Sequence, residues 1–170
     1  MITIQRMRFR NVLSYGEDNT IDFTVSAVTQ LIGKNGHGKS SIATILEEAL
    51  YNKNSRGISK SELVNRYTED KKYSIEVDFD KNGTQYTVVK NVASSAKVDL
   101  LEDGVSIAGH TATQTYKIIE GIIGADFNTF TKLVNQSMKS SLDFLSATDS
   151  VRKKFLIVLI GLEEYGEAEK

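Results

Sequence analysis

Met1-Ile2-Thr3-Ile4-Gln5-Arg6-Met7-Arg8-Phe9 alternates apolar and polar side chains, which predicts a strand over about residues 2–9. Residues 11–19 are a polar connector, and Ile21-Asp22-Phe23-Thr24-Val25 has the pattern of a second strand. The short apolar run Val28-Thr29-Gln30-Leu31-Ile32 predicts a third. From Ser41 to Tyr51 the period changes: apolar residues fall at 42, 45, 46, 49 and 50, the spacing of one helix face. Residues 52–72 are polar. Tyr73–Phe79 alternates again, and Asn82-Gly83 supplies the hairpin turn into 85–90. A weaker copy follows, 98–101 and 105–107 joined by Asp103-Gly104. Residues 113–123 have helical spacing at Tyr116, Ile119, Ile122 and Ile123. A last helix is expected to start at Thr148-Asp149-Ser150, with Val151, Phe155, Leu156, Leu159 and Ile160 on its apolar stripe. Beyond Leu162 the chain turns polar and helix-prone. The result is an α/β chain with antiparallel hairpins beside one strand–loop–helix unit.

That unit carries the chemistry. Gly33-Lys34-Asn35-Gly36-His37-Gly38-Lys39-Ser40 fits G-x-x-x-x-G-K-[ST] at every fixed position. Its glycines let successive backbone N–H groups turn inward toward phosphate oxygens. Lys39 brings a positive charge to the β/γ-phosphates, and Ser40 a hydroxyl for Mg²⁺. The helix from Ser41 then points its N-terminus at the anion. The plain alternative is an ordinary glycine-rich turn, but the flanking strand and helix patterns favour a site for a nucleotide with Mg²⁺. The candidate nucleotide-binding residues are Asn35, Gly36, His37, Gly38, Lys39, Ser40 and Ser41. His37 occupies a variable position of the motif, where an exposed loop side chain is the simplest expectation.

Composition narrows the picture. With 170 residues the chain can bury a core of its own. Lys and Arg number 21 against 22 Asp and Glu, so bulk charge does not announce a nucleic-acid binder. Any such contact has to come from a local patch. The basic residues of the 52–72 connector, chiefly Lys53, Arg56, Lys60 and Arg66, are the candidates, with a solvated polar loop as the plain reading. There is no cysteine, which excludes disulfides, thiol chemistry and Cys-based zinc sites. His37 and His110 are too far apart for metal-ligand spacing. The N-terminus has no signal-peptide pattern, and no apolar run approaches the ~20 residues of a membrane span. A soluble, cytoplasmic protein is therefore expected.

One component of a hydrolase is missing. Phosphoryl transfer needs an acidic residue to hold Mg²⁺ and polarise water, usually at the end of an apolar strand. Val77-Asp78-Phe79-Asp80 is the nearest candidate, but its acids alternate with apolar residues and run into a hairpin. That is a half-exposed strand. The sequence therefore reads as half of an ATPase site.

These features, in order, resemble the N-terminal lobe of the SbcC-type DNA double-strand-break repair ATPases, SMC-like members of the ABC class, and among them the phage recombination-endonuclease large subunits. The resemblance rests on Phe9-Arg10-Asn11-Val12-Leu13-Ser14-Tyr15, the Ile32–Ser41 loop, Leu50-Tyr51, and Phe127 and Phe130 leading to Val134-Asn135-Gln136. Phe144-Leu145, then Arg152-Lys153-Lys154-Phe155-Leu156 and Ile160-Gly161-Leu162, complete it. It implies a P-loop NTPase fold, the N-terminal lobe of an ABC/SMC-like head over residues 1–162, with a coiled coil starting at 163–170. It implies ATP hydrolysis by a head dimer completed by a C-terminal lobe, so that this chain alone binds nucleotide without turnover. Lys39 and Gln136 are then the catalytic residues, Gln136 joins Ser40 at the Mg²⁺, and Asn35 reaches across the dimer toward the γ-phosphate. The implied partners are a second copy of the head, an SbcD-type metallo-nuclease and double-stranded DNA ends. Leu13 departs from the pattern, since many relatives place a basic phosphate contact there. Arg8 and Arg10 are possible replacements, although strand alternation points both the same way, toward solvent. Two other classes compete: an SMC- or RecF-like DNA clamp with no nuclease, and a small nucleotide kinase, which would need an arginine-rich lid that this chain lacks.

Overall fold

The computed structural model describes residues 2–134, 148–150 and 152–153, and the chain divides into two compact units, residues 1–123 and 124–170. The first unit is built on six strands: β1 (Ile2–Arg10), β2 (Asn19–Asp22), β3 (Tyr73–Lys81), β4 (Thr84–Val92), β5 (Ala96–Glu102) and β6 (Val105–Ser106). They form one antiparallel sheet in the order β2-β1-β3-β4-β5-β6. The two hairpins follow from local chemistry. Asn82 and Gly83 have φ of 54° and 91°, and Asp103 and Gly104 of 45° and 83°. Two consecutive left-handed residues are what a tight turn between right-twisted strands requires, and Asn/Asp-Gly adopts them at least cost.

Strand alternation puts Tyr73, Ile75, Val77 and Phe79 on one face with Met7, Phe9, Val88 and Leu100, all buried. Helices α1 (Ser41–Tyr51) and α3 (Ala112–Ile123) pack on the sheet and on each other, bringing Ile45, Ala49, Leu50 and Ile119 into this core. Each fully buried large aliphatic or aromatic side chain contributes about 1.5–3 kcal/mol. Alternate positions of the same strands are polar and paired: Arg8 reaches Glu76 and, at 2.9 Å, Asp78, and the Thr87 hydroxyl donates to Asp78 at 2.9 Å. Asp78 is therefore a structural acid of a half-exposed strand, as the alternation predicts.

Two expectations change. The second strand covers 19–22 and not 21–25. Val28–Ile32 forms no strand: its backbone is irregular, and Val25, Val28, Leu31 and Ile32 are exposed. A strand exists only where a neighbour accepts its N–H groups and donates to its carbonyls. Among the described residues no strand lies alongside this segment.

A short helix, α2 (Lys60–Leu63), interrupts the polar connector; the Glu62 carboxylate accepts hydrogen bonds from the N–H and hydroxyl of Ser59. In the second unit, α4 (Phe127–Val134) starts at Asp126, whose carboxylate caps the Thr129 N–H at 2.7 Å. Residues 149–150 and 152–153 are helical, and the Arg152 N–H donates to the Thr148 carbonyl at 3.0 Å, in accord with a helix starting there. Gln136, Phe144-Leu145, the remainder of that helix and the expected coiled-coil start at 163–170 lie outside the described residues. No helix among the described residues is long and apolar enough to cross a membrane.

Candidate nucleotide-binding site

The phosphate loop is shaped by two left-handed glycines, Gly36 at φ 82° and Gly38 at φ 84°. Gly38 is needed for a second reason, close approach. A Cβ there would sit 2.6 Å from the Ser14 hydroxyl and 3.2 Å from the Tyr15 ring. Tyr15 in turn donates its hydroxyl to the Gly38 carbonyl at 3.1 Å and meets Phe9 edge-on at 5.0 Å between ring centres. The 11–15 connector thus supports the loop from behind, anchored to the core through Phe9.

Within the loop, the Lys39 ammonium donates to the carbonyls of Gly33 (2.6 Å) and Lys34 (2.8 Å), which holds the charge over the loop's own centre. The Ser41 N–H donates to Gly38 at 2.8 Å, starting α1 directly from the loop. Ser40 stands at the N-cap of α1 without using its side chain as a cap, so its hydroxyl is not committed to the backbone. Glycines with the right φ, an inward ammonium, an uncommitted hydroxyl and a helix N-terminus together fit a Mg²⁺-nucleotide. Asn35, Gly36, Gly38, Lys39, Ser40 and Ser41 line one open cleft of about 730 Å³; His37 is exposed on the loop and does not line it. Among the described residues no group of three or more His, Asp or Glu could hold a metal by itself.

The contribution of the 52–72 connector to this cleft was not legible in the sequence. Arg56, Gly57, Ile58, Glu62, Arg66 and Tyr67 line it, together with Leu13 and Ser14. Two anchors bring the connector there. The first is Glu47, buried in the second half of α1, whose carboxylate accepts from the Ser55 N–H (2.7 Å) and hydroxyl (3.0 Å). Arg56 follows at the tip of a turn that Asn54 closes on Ile58 through both amide atoms. The second anchor is a small bridge between Val12 and Val64. Leu13 N–H donates to Leu63 (2.6 Å), Asn65 N–H to Asn11 (2.9 Å), and the Asn65 side chain donates to the Tyr15 carbonyl (3.0 Å). Leu13 and Asn11 adopt φ of 55° and 52° to make this possible. Leu13 therefore serves as backbone, and the basic side chains that line the cleft are Lys39 from the loop and Arg56 and Arg66 from the connector. Arg8 and Arg10 do not line it; Arg8 is paired with Glu76 and Asp78, and Arg10 with Glu17.

The connector also meets a buried ionic cluster. Glu48 is fully buried, and its carboxylate takes both the buried ammonium of Lys90 and the half-exposed Lys60. Lys90 also donates to the Asn52 side-chain carbonyl at 2.7 Å, and its ammonium lies 5.7 Å from the centre of the Tyr116 ring. Burial pulls Lys90 down to about 8, against the opposing attraction of Glu48. The phenols of Tyr73 and Tyr116 are raised, by burial first and then by the Glu48 charge. Of the four basic residues proposed as a DNA-facing patch, Lys60 is thus spent on Glu48, and Arg56 and Arg66 line the cleft.

Residues 6–166 match the AAA domain family. The chain is 54% identical over 166 residues to the probable exonuclease subunit 2 of Escherichia phage T5, covering 98% of this chain and 27% of that protein. It is 31% identical over 163 residues to the probable DNA double-strand break repair Rad50 ATPase of Aquifex aeolicus, covering 94% of this chain and 16% of that one. The chain belongs to the SbcC/Rad50-like ATPase family. It spans about a quarter of the phage relative and about a sixth of the Aquifex one. A solved structure from work on ATP-driven dimerization and DNA-stimulated activation of SMC ATPases superposes with a TM-score of 0.64 at 16% identity, covering 90% of this chain and 96% of the other. That likeness places the fold with the N-terminal lobes of SMC-type ATPase heads, as the resemblance implies.

Proposed function

We propose that this chain is the ATP-binding half of a DNA repair and recombination ATPase, one that hydrolyses ATP as a head dimer and governs a partner nuclease at DNA ends. The observation that carries this is a phosphate loop complete on its binding side, with no uncommitted acid beside it among the described residues. Glu62 is the one acid lining the cleft among the described residues, and it is tied to Ser59, which draws its carboxyl below the usual range. The exposed apolar run Val28–Ile32, leading straight into the loop, fits the same reading: it has a strand's composition and would form one against neighbours supplied by the rest of the head.

In this reading Lys39 balances the β/γ-phosphate charge, Ser40 ligates Mg²⁺, and the α1 N-terminus and loop N–H groups orient the phosphates. Bound Mg²⁺ supplies charge neutralisation for phosphoryl transfer. Gln136, a few residues beyond α4, joins Ser40 at the metal, and Asn35 faces the second head. Arg56 takes over the basic phosphate contact that Leu13 does not make. The names of the phage exonuclease subunit and the Rad50 ATPase support the nuclease partner and the DNA end as substrates of the assembly.

The test has two arms. Lys39→Ala in the full-length protein should abolish both ATP binding and turnover. The 170-residue chain alone should bind ATP and not hydrolyse it, recovering turnover when the remainder of the head is added. Hydrolysis by the isolated chain at the full-length rate would contradict the half-site reading.

A further inference from the structure

The phosphate loop carries an imidazole that the nucleotide site does not use. Gly36 and Gly38, on either side of His37, line the cleft and adopt left-handed φ, whereas His37 is exposed and does not line it. Its N–H donates to the Lys34 carbonyl at 3.3 Å, so its backbone belongs to the curl of the loop. Covalent geometry then bounds the position of the ring. Adjacent Cα atoms are about 3.8 Å apart and the imidazole nitrogens reach about 5 Å from their own Cα, which keeps them within about 9 Å of both lining glycines in every rotamer. Phosphates held by the loop's N–H groups are therefore well inside the Debye length at low salt, about 30 Å at 0.01 M.

Imidazole is the side chain that exchanges a proton between about pH 5 and 8. The charged groups of its surroundings are few. In the loop, Lys34 is exposed and the Lys39 ammonium is turned onto the carbonyls of Gly33 and Lys34; from the connector, Arg56, Arg66 and Glu62 line the same cleft. Bound Mg²⁺-ATP adds net negative charge to the loop, and an opposite charge nearby favours the protonated ring. We infer that His37 is a proton-linked electrostatic contact for the triphosphate: binding draws a proton from solvent onto its imidazole, so the site holds ATP more tightly as pH falls. This rests on the nucleotide-binding reading given above. The sign follows from linkage, since a ligand that raises proton affinity gains the same factor from the proton. The ring acts through water, so the gain is modest, about threefold between pH 7.5 and 6 at low salt, and it is screened by added ions.

Calorimetry of Mg²⁺-ATP binding to the full-length protein tests this, at about pH 6 and about pH 7.5 in low salt, with buffers of different ionisation enthalpy to count protons. Between the two pH values the unaltered protein should gain about threefold in affinity over His37→Gln, and it should take up more protons on binding than the variant does. Subtracting the variant removes the titration of the nucleotide and of every other group. His37→Lys, charged at both pH values, should bind at each as the unaltered protein does at the lower one. Salt at about 0.5 M should erase the difference between the unaltered protein and His37→Gln. Parallel pH profiles for those two proteins refute the contact. A difference that high salt leaves intact refutes it as well, because His37 would then be acting by packing. Lys39→Ala is the control for the parent reading: it should lose ATP at both pH values, and retention there would overturn the phosphate-loop assignment whatever His37 does.

Discussion

Replacing Lys90 with methionine tests the ionic cluster behind the nucleotide cleft. The substitution keeps most of the side-chain volume and removes the ammonium. Glu48 then remains completely buried with Lys60 as its one cationic partner, and Lys60 is half exposed and screened. The Asn52 side-chain carbonyl loses this donor as well, while the Glu48 main-chain carbonyl keeps the Asn52 N–H. Leaving a buried charge without its buried partner costs about 3–5 kcal/mol, and the surviving Lys60 contact places the expectation near the lower end, about 3 kcal/mol. Removing both charges, in Glu48→Leu with Lys90→Met, should cost about 1 kcal/mol or less, since neither ion then needs desolvation. Urea unfolding at pH 7, with similar slopes for all variants, gives the comparison.

The pH dependence has a definite sign. Lys90 titrates near 8 when folded and near 10.5 when unfolded, so between those values the unfolded chain holds the extra proton. Lys90 therefore makes stability rise with pH across about 8 to 10.5 and contributes no slope below it. Lys90→Met should remove that rise. A single-variant loss under about 1 kcal/mol, or a double variant less stable than the single, would refute the cluster as described.

Two further predictions concern the site itself. Gly36→Ala and Gly38→Ala both force alanine to a left-handed φ, costing about 1–2 kcal/mol, but only at Gly38 does the new methyl collide with Ser14 and Tyr15. Gly38→Ala should therefore lose clearly more ATP affinity and thermal stability than Gly36→Ala; equal losses would mean that Tyr15 does not support the loop. Gln136→Ala should leave ATP affinity within a few fold and slow turnover by about a hundredfold, as expected of a group that acts in the transition state. Matching losses in binding and turnover, read from equilibrium titration and steady-state rates, would place Gln136 outside the reaction.

Where the structure is local, the sequence is enough. Asn82-Gly83 and Asp103-Gly104 dictate their own turns, and the alternation of 73–79 assigns its buried face without knowledge of any neighbour. The phosphate loop is equally self-contained. Three features depend on distant partners and were illegible or misread. Val28–Ile32 has a strand's composition but, among the described residues, no strand beside it. Glu47 and Glu48 look like the polar face of a helix, yet both are buried because Ser55, Lys60 and Lys90 come to meet them. Arg56, Arg66 and Tyr67 reach the cleft because Val64 bridges to Val12 across about fifty residues, a contact that no local periodicity announces.

The strand order also sets a timetable for synthesis. β3 to β6 are joined by hairpins and can zip together as soon as they are made, since their contacts are close in sequence. β1 is translated first but pairs with β3 about seventy residues later, so its apolar face waits exposed until that partner arrives. The phosphate loop and α1 lie inside that same interval. The loop's supports, Tyr15 and the bridge from Val12 to Val64, fall in that interval too, so ATP is expected to stabilise the assembled lobe and to have little effect on the first steps of its folding.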